Sequence, residues 1–306
     1  MSDHRDARIG GTSDKASVAR LTNAKDHREN AKATNAVRRS MAQIASMIGL
    51  EFFPGIMPST AWVHEILCAC TYIPPMTDKS LRIASYNIRK ARGLDNRRMP
   101  ERTLDVINGL NADIVVLQEA DKRLGPRKPA IPRKMIESET DFDLLEIGQN
   151  EVSLGWHGNA VLLRPDLKVA HTALLDLPGL EPRGAVQVAF DFAGGFCVVA
   201  THLGLRRRDR RVQLDALRRS TQDSGHTVMA GDFNEWSEHR GFEALDEEFE
   251  VHTPGRTFHA RRPVAALDRF AVRRGLQVYQ GGVDEGTLAR RASDHLPVWA
   301  DILLPT

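Results

Sequence analysis

Several apolar segments of this sequence end in polar side chains that can bind a metal ion or move a proton. The clearest is "VMAGDFNEW", Val228 to Trp236, in which small and apolar residues lead directly into Asp232 and Asn234. A polar group at the end of one strand costs little free energy when water reaches it. The repetition is more informative, because strand ends on one edge place their side chains in one cleft. We use the name rim residues for these two and for Asn87, Glu119, His202, Asp268, Asp294 and His295.

The types of the rim residues favour phosphate chemistry. Asn87, Glu119 and Asp294 offer oxygen ligands, which suit a hard divalent ion such as Mg²⁺, with Mn²⁺ as a substitute. The positions of the cysteines exclude a thiolate zinc site. His202 and His295 are then left to transfer protons or to stabilise charge. Mg²⁺ beside carboxylates and two histidines predicts cleavage of a phosphate ester by a positioned water molecule.

Predicted strands and helices surround the rim residues. Apolar runs bounded by glycine or proline predict strands, and apolar residues at helical spacing predict helices. The predicted helix "RRDRRVQLDALRRST" is expected to turn Val212 or Leu214 inward, together with Leu217. Many strands with few helices between them predict an α+β fold in which helices cover two packed sheets. The other predicted elements are the helix "PERTLDVINGLN" and the strands "LRIASYNI", "ADIVVLQEA", "GNAVLLRP", "AVQVAFDF", "GFCVVATHL", "HTVMAGDFN", "VAALDRFAV" and "LPVWADILL".

Residues 1–75 differ from the rest of the chain. The first 40 residues are polar and lack helical or strand periodicity, which predicts disorder. The apolar segment that follows is interrupted by prolines, glutamates and a histidine, so no transmembrane span is expected. A secretory signal peptide also fits poorly, because the segment before it is long and contains acids. A true start at Met76, with residues 1–75 a mis-called extension, is the alternative interpretation.

The composition is that of an ordinary globular protein. The chain has 306 residues, of which 42% are hydrophobic and 27% charged, and this length suffices for one large domain with a sizeable core. A net charge of +2 makes no general case for binding nucleic acid or acidic membranes. Three irregularly spaced cysteines are no disulfide framework. We therefore expect a cytoplasmic location, with peripheral membrane association through residues 41–75 as the alternative, and the sequence implies no protein partner.

Seven segments, in their order along the chain, resemble the endonuclease/exonuclease/phosphatase superfamily, the group of deoxyribonuclease I. The resemblance covers residues 81–303 and implies a four-layer α/β/β/α sandwich of two mixed sheets flanked by helices. It implies a catalytic domain over residues 76–306, preceded by the extension 1–75. The segments are "SYNIRK", "VVLQEA", "GNAVLLR", "ATHLG", "GDFNEW", "LDRFAV" and "SDHLPVWADI".

The resemblance implies metal ligands among the rim residues. Glu119 in "LQEA" is then the principal ligand, and Asn87 in "SYN" helps to hold the metal or a phosphate oxygen. Asp294 in "SDH" binds the metal or orients groups near it. The implied cofactor is Mg²⁺, which Mn²⁺ can replace.

The remaining rim residues receive catalytic roles from the same resemblance. Asp268 polarises His295, as in other carboxylate–imidazole pairs of hydrolases. His202 donates a hydrogen bond to the phosphate oxygen that gains charge. Asp232 orients or deprotonates the attacking water, and Asn234 holds this water in line. Whether His295 or Asp232 is the general base stays open at this point.

Four arginines indicate which substrates this site could bind. Arg89 stands where abasic-site endonucleases carry an acid, so abasic-site repair is less expected than general phosphoesterase activity. Arg183 matches a family position from which a guanidinium grips a phosphate oxygen. Arg206 and Arg207 in "LRRRDRR" predict a patch that binds an anionic substrate. The alternative for these two is a solvated helix start.

The sequence therefore predicts a divalent-metal-dependent phosphodiesterase, most simply of the nuclease type. Cleavage of a phospholipid headgroup, as in sphingomyelinases, and phosphomonoester hydrolysis are the enzymatic alternatives, because one site of this kind serves many phosphates. A non-catalytic anion-binding module is the alternative from another class. Nucleic acid and a phospholipid headgroup are the two expected partners of the site.

Overall fold

The computed structural model of this chain describes residues 80–123, 125–192 and 195–304. The expected extension, residues 1–75, and its boundary at residue 76 lie outside the described residues, so both stay predictions. Within the described residues, no helix combines the length and the apolar character that crossing a membrane requires.

The described chain alternates strands with a few short helices. The α-helices are α1 (Pro100–Gly109), α2 (Arg133–Glu139), α3 (Arg207–Ser220) and α4 (Ala289–Ala292), and a 3₁₀ turn at Arg89–Ala91 follows the first strand. The strands are β1 (Ser80–Asn87), β2 (Ile114–Gln118), β3 (Asp143–Leu144), β4 (Ala160–Leu163), β5 (Val169–Leu177), β6 (Arg183–Phe190), β7 (Phe196–His202), β8 (His226–Asp232), β9 (Phe249–His252), β10 (Asp268–Arg273), β11 (Gln277–Val283) and β12 (Val298–Leu303).

The strands form two six-stranded mixed sheets. The first has the order β11-β12-β1-β2-β4-β3, and the second has the order β5-β6-β7-β8-β10-β9. Each sheet contains one parallel pair, β1 with β2 and β7 with β8, and these pairs are connected through α1 and α3. The carboxyl ends of the strands in a parallel pair lie at the same edge of the sheet. Each sheet therefore has one edge at which two such ends lie side by side.

Alternation along the strands explains why both faces of each sheet are covered. Successive side chains of a strand point to opposite faces. On β2, Val116 packs into the core between the sheets, whereas Val115 packs on the outer face that α1 covers. On β8, Val228 belongs to the same inner core, whereas Met229 packs on the outer face that α3 covers. The result is the predicted α+β sandwich of two sheets with helices outside.

The predicted strands that bear rim residues are all present, whereas several others were not predicted. β3, β5, β9 and β11 were missed, and all four are edge strands. β5 and β11 expose many of their residues, and β11 also contains two adjacent glycines. A strand without a buried alternating face carries little of the periodicity from which strands are recognised.

Helix α3 supplies a test of the outer core. Leu214 and Leu217 are buried, whereas Val212 is 47% exposed. Of the two residues that the sequence offered for the inward position, the structure therefore selects Leu214. We expect Leu214→Ala to lower the free energy of unfolding by about 2–5 kcal/mol, because it leaves a cavity between α3 and the sheet. Val212→Ala is the matched control and should change it by less than about 0.5 kcal/mol. Urea unfolding of both variants measures the difference, and equal effects would contradict this packing.

Candidate active site

The pairing of the strands brings most rim residues to one edge of the sandwich. In the second sheet, His202 and Asp268 both lie opposite Asp232 in the register. In the first sheet, Asn87 ends β1, and Glu119 directly follows β2. The Asn87 side chain bridges the sheets, because its Nδ2 donates a hydrogen bond to Asp232 Oδ2 at 3.0 Å. The two edges therefore face each other across a single site.

Asp232 lies at the centre of this site. Its Oδ2 is 3.5 Å from His202 Nε2 and 3.7 Å from His295 Nε2. Its Oδ1 accepts a hydrogen bond from the backbone N–H of Asn234 at 2.9 Å. Burial raises the pKa of the Asp232 carboxyl to about 6, although the charge of His295 and the hydrogen bonds oppose the shift. Asp232 can therefore exchange a proton near neutral pH.

His295 and Asp268 form a buried carboxylate–imidazole pair. The distance between His295 Nδ1 and Asp268 Oδ2 is 2.8 Å, and both side chains are almost fully buried. Burial by itself lowers the pKa of the imidazole, but the charges of Asp268 and Asp232 outweigh this and raise the pKa of His295 to about 10. His295 is therefore a cation at neutral pH.

His202 has the opposite protonation state. Burial, and after it the positive charges of Arg183 and His295, lower the pKa of its imidazole well below the ordinary value. His202 is therefore neutral, and it can donate one hydrogen bond from whichever ring nitrogen carries the proton. Two titratable groups whose environments push their pKa values apart are characteristic of sites that divide proton-transfer roles.

The backbone around Asn234 positions its amide. Asn234 has a left-handed φ of 50°, and its Nδ2 donates to the Leu203 carbonyl at 2.9 Å. Gly231 lies directly before Asp232, and a Cβ at this position would be 1.9 Å from the carbonyl oxygen of Thr201. Only glycine permits this close approach of β7 and β8. The segment after β8 is thus held on both sides of Asp232.

Glu119 and Asp294 are paired with cations at the same edge. The Lys90 side chain forms an ion pair with Glu119, and Arg89 Nε lies 3.2 Å from Asp294 Oδ2. Arg89 and Lys90 adopt left-handed φ values of 46° and 57°, and the Arg89 N–H donates to Asn87 Oδ1 at 3.1 Å. The turn after β1 therefore delivers two positive charges to the two carboxylates.

Two sets of side chains could receive a divalent cation, and their chemistry distinguishes them. Asp232, Asp268 and His295 hold ligand atoms within 4.8 Å of one another. A protonated imidazole has no lone pair for a metal, so this set fits proton transfer better than coordination. Glu119 and Asp294 fit a hard cation better, because both are partly exposed and their present partners are flexible cationic side chains. The side-chain oxygen of Asn87, the third predicted oxygen ligand, already accepts the Arg89 N–H.

Arg183 also belongs to the site. It begins β6 and is buried, and its Nη2 donates to Glu181 Oε2 at 2.9 Å. Burial lowers the pKa of its guanidinium, while Glu181 opposes the shift. Its positive charge helps to lower the pKa of His202, so the guanidinium lies close enough to act on that imidazole. Arg183 therefore can still serve as the predicted phosphate contact.

The structure does not bring Arg206 and Arg207 into contact with the rim residues. Both are exposed at the start of α3, and the nearest acid to Arg207 is Glu243, with 3.6 Å between Nη2 and Oε1. No finding tests their predicted role in substrate binding, which stays a prediction. The same holds for the catalytic and metal-binding roles that the sequence assigned to the rim residues.

Three residues that contact the site were not predicted from the sequence. Lys90 and Glu181 form ion pairs with Glu119 and Arg183. Ser293 donates from its Oγ to the Asn87 carbonyl at 2.7 Å and accepts the His295 N–H at 3.3 Å. Their adjacency to "SYNIR", "PRG" and "DHL" was the available signal, but an adjacent residue on a strand or turn does not by itself face the site.

The raised pKa of His295 has a consequence for stability. A histidine with a folded-state pKa near 10 and an unfolded value near 6.5 stabilises the fold fully below about pH 6.5. This contribution is lost as the pH rises through about 10. We expect the free energy of unfolding of the native protein to fall more steeply over this range than that of His295→Gln. Urea unfolding across the pH range measures both slopes, and identical slopes would contradict a buried imidazolium.

Comparison with known proteins places this chain in a family. The chain matches the model of the Endonuclease/Exonuclease/phosphatase family over residues 84–295. None of the curated proteins is similar enough to this chain to count as a match. Among solved structures, an endonuclease/exonuclease/phosphatase from Beutenbergia cavernae is 22% identical, covers 74% of this chain and 72% of its own, and has a TM-score of 0.56.

Two further solved structures show how varied the proteins with this fold are. A mannosyl-6-phosphatase from Bacteroides thetaiotaomicron is 17% identical over 73% of this chain and 99% of its own, with a TM-score of 0.57. TDP2 from D. rerio, complexed with a single strand DNA product, is 16% identical over 74% of this chain and 99% of its own, with a TM-score of 0.56. At such identities the likeness shows the fold, a DNase I-like α+β sandwich.

The match to the family model extends from β1 to His295, and it therefore includes every rim residue from Asn87 to His295. The members of this family are phosphoester hydrolases. On the combined ground of this match, the two-sheet fold and the convergent site, the chain belongs to the Endonuclease/Exonuclease/phosphatase family.

Proposed function

We propose that this chain is a Mg²⁺-dependent phosphodiesterase of the nuclease type, which cleaves its substrate by in-line attack of water. The observation that carries the proposal is the cluster of Asp232 between a neutral His202 and a cationic His295, beside the carboxylates of Glu119 and Asp294. Such a cluster supplies a base, a hydrogen-bond donor and fixed positive charge in one water-poor site.

The protonation states assign the proton-transfer roles in this proposal. His295 is charged below about pH 10, so it cannot take a proton from water at neutral pH. Asp232 has a pKa near 6 and is ionised often enough to do so, which makes it the proposed general base. Asn234 is held by the Leu203 carbonyl and orients the water from the adjacent position. His295 stabilises the negative charge that develops on the phosphoryl group.

His202 and Arg183 complete the proposed phosphate site. The neutral imidazole of His202 donates a hydrogen bond to a phosphate oxygen, and the buried guanidinium of Arg183 adds a positive charge. Glu119 and Asp294, with the Asn87 oxygen as a further ligand, would hold the divalent ion, and members of this family generally use such ions. When bound, Mg²⁺ neutralises the charge on phosphoryl oxygens.

A second candidate function is cleavage of a phospholipid headgroup. It is favoured by two exposed leucines next to the site, Leu180 at 70% and Leu205 at 64% exposure. The Leu205 N–H donates to Glu181 Oε1, the carboxylate that also pairs with Arg183. Exposed apolar side chains beside a phosphate site are what entry of a lipid headgroup requires.

A substrate screen distinguishes these candidates. The purified chain is incubated with plasmid DNA, RNA, sphingomyelin, phosphatidylinositol and inositol phosphates, each in Mg²⁺, Mn²⁺ and EDTA. The proposal expects cleavage of nucleic acid that requires the metal and that weakens steeply with salt, because phosphate contacts release counterions. Cleavage of the lipids alone would favour the second candidate, and cleavage of nothing would favour an anion-binding module.

Glu119→Gln tests the proposed metal ligand. We expect it to weaken Mg²⁺ binding at least about tenfold, because it removes the charge of a hard oxygen ligand. Isothermal titration with Mg²⁺ alone measures this independently of catalysis. Glu146→Gln is the matched control, because Glu146 is an exposed glutamate that pairs with Arg133 away from the site. Equal Mg²⁺ affinity in the native protein and Glu119→Gln would contradict the assignment.

A further inference from the structure

Trp236 is an exposed aromatic residue that directly follows a continuously buried segment, residues 227–235. Its side chain is 61% exposed, whereas its neighbour Glu235 is only 6% exposed and Phe233 is fully buried. The Glu235 carboxylate is held by Arg210 at 2.6 Å and accepts the Ser237 N–H at 3.0 Å. The segment therefore has a fixed backbone from which one large ring projects.

A buried arginine fixes this backbone from below. Arg269 is fully buried, and its Nη2 donates to the carbonyls of Glu235 at 3.0 Å and Ser237 at 2.8 Å, the two residues on either side of Trp236. The guanidinium also packs over the ring of Phe242 at 4.7 Å. Burying a guanidinium is costly unless its donors are satisfied. Here the donors of Arg269 are satisfied by the backbone that carries Trp236, whose ring lies outside the core.

Aromatic contacts connect Trp236 to the proposed catalytic cluster. The Trp236 ring packs edge-to-face on Phe258, with 6.1 Å between centroids. Phe258 in turn packs against the imidazole of His295, with 5.0 Å between centroids. The exposed Trp236 ring is thus connected to His295 through a single intervening ring, that of Phe258. A phosphate beside His295 and a flat group on Trp236 can belong to one nucleotide or to two adjacent ones.

The charges around Trp236 favour a polyanion. The segments 234–241 and 257–265 carry the exposed arginines Arg240, Arg261 and Arg262. The exposed acid of these segments is Glu238. A rigid aromatic surface bordered by arginines is the combination with which proteins bind single-stranded nucleic acid. A neutral lipid surface would find little to compensate these charges.

We propose that Trp236 stacks on an unpaired nucleobase of the nucleic-acid substrate, next to the phosphate that is cleaved. The inference rests on the proposed function and specifies its substrate as single-stranded nucleic acid or a nucleotide ester, because a paired base does not offer its face to an external ring. The fixed backbone lowers the entropic cost of binding, since the ring is held in place before the base arrives.

Two p-nitrophenyl esters that differ only in the base test the stacking. Thymidine 5′-(p-nitrophenyl phosphate) carries a nucleoside, and methyl p-nitrophenyl phosphate carries a methyl group in its place. In the native protein with Mg²⁺, kcat/KM should favour the thymidine ester. Trp236→Ala should lower this preference by about 5- to 100-fold, and Trp236→Phe should retain most of it, because both Trp and Phe provide a stacking face.

Tyr279→Ala is the matched control for loss of an exposed aromatic ring. Tyr279 is 70% exposed and lies on β11, a strand of the other sheet. This variant should keep the native preference for the thymidine ester. A native protein without preference, or a Trp236→Ala variant that keeps it, would overturn the proposal. So would equal losses on both esters, because a structural defect has that effect.

A binding measurement separates this inference from the proposed function. Single-stranded oligothymidylate, as DNA and as the corresponding RNA, is titrated in EDTA against the tryptophan fluorescence of the native protein and of Trp236→Phe. Quenching in the native protein alone supports the base site, even if neither ester is cleaved and the proposed function fails. No quenching overturns the base site, whatever the hydrolysis. A response to phosphatidylglycerol vesicles but not to the oligonucleotides would overturn it in favour of a lipid.

Discussion

Asp232→Asn is expected to lower kcat for bis-p-nitrophenyl phosphate by about 10²- to 10⁴-fold, the range that loss of a general base produces. The reason is positional as well as chemical. Asp232 is the residue that Asn87, Asn234, His202 and His295 all contact or approach, and in the proposed mechanism its carboxylate lies beside the attacking water. The amide of asparagine keeps the size of the side chain but accepts no proton.

The pH dependence sharpens this prediction. With a pKa near 6, Asp232 should produce an acid limb in the rate profile of the native protein, with activity rising as the carboxyl loses its proton. The residual activity of Asp232→Asn should lack that limb. Asp223→Asn, an exposed position before the start of β8 at the opposite end of the strand, is the matched control. A kcat for Asp232→Asn within about tenfold of the native value would rule out a general base at this position.

Asp268→Asn is expected to reduce kcat by a comparable amount, about 10²- to 10⁴-fold, and to move the alkaline limb of the rate profile to lower pH. Asp268 is the nearest charge to His295, at 2.8 Å from Nδ1, and it contributes most to raising the imidazole pKa against burial. Without this charge the pKa of His295 falls. The cationic form is then lost at a lower pH, and activity that needs it declines earlier.

A second histidine–aspartate pair provides the control for Asp268→Asn. His157 Nε2 lies 2.8 Å from Asp176 Oδ1, but the Asp176 side chain is 76% exposed. Asp176→Asn should therefore leave both kcat and the alkaline limb close to native, because water screens an exposed pair. Thermal unfolding of both variants shows that they are folded under the assay conditions. An unchanged alkaline limb in Asp268→Asn would contradict a catalytic imidazolium at His295.

Much of the site was predictable from the sequence because strands record burial locally. The central strands β1, β2, β7 and β8 are buried along almost their whole length, so they appear as continuous apolar runs. The polar residues at which these runs stop, such as Asn87 and Asp232, were recognisable as a set. Their order and spacing also identified the family. The buried face of α3 was also predictable, apart from the choice between Val212 and Leu214.

The remaining features depend on contacts between residues that are distant in sequence. The pairing of Lys90 with Glu119 requires the turn after β1 to meet the end of β2, and the bond from Asn87 to Asp232 crosses from one sheet to the other. Edge strands such as β5 and β11 are held by hydrogen bonds to a neighbouring strand. Their own residues show no apolar alternation from which a strand could be predicted. Trp236 is part of "GDFNEW", yet nothing in that segment shows that Arg269 fixes it beside Phe258.

By itself, then, the sequence determined which side chains stand at the strand ends, the α+β architecture and the chemical class of the site. Only the tertiary structure decided that burial and neighbouring charges raise the pKa values of His295 and Asp232 and lower that of His202, and that Arg206 is exposed. The physical reason is that local patterns depend on neighbours along the chain. Protonation states depend on desolvation and on charges that only folding brings close.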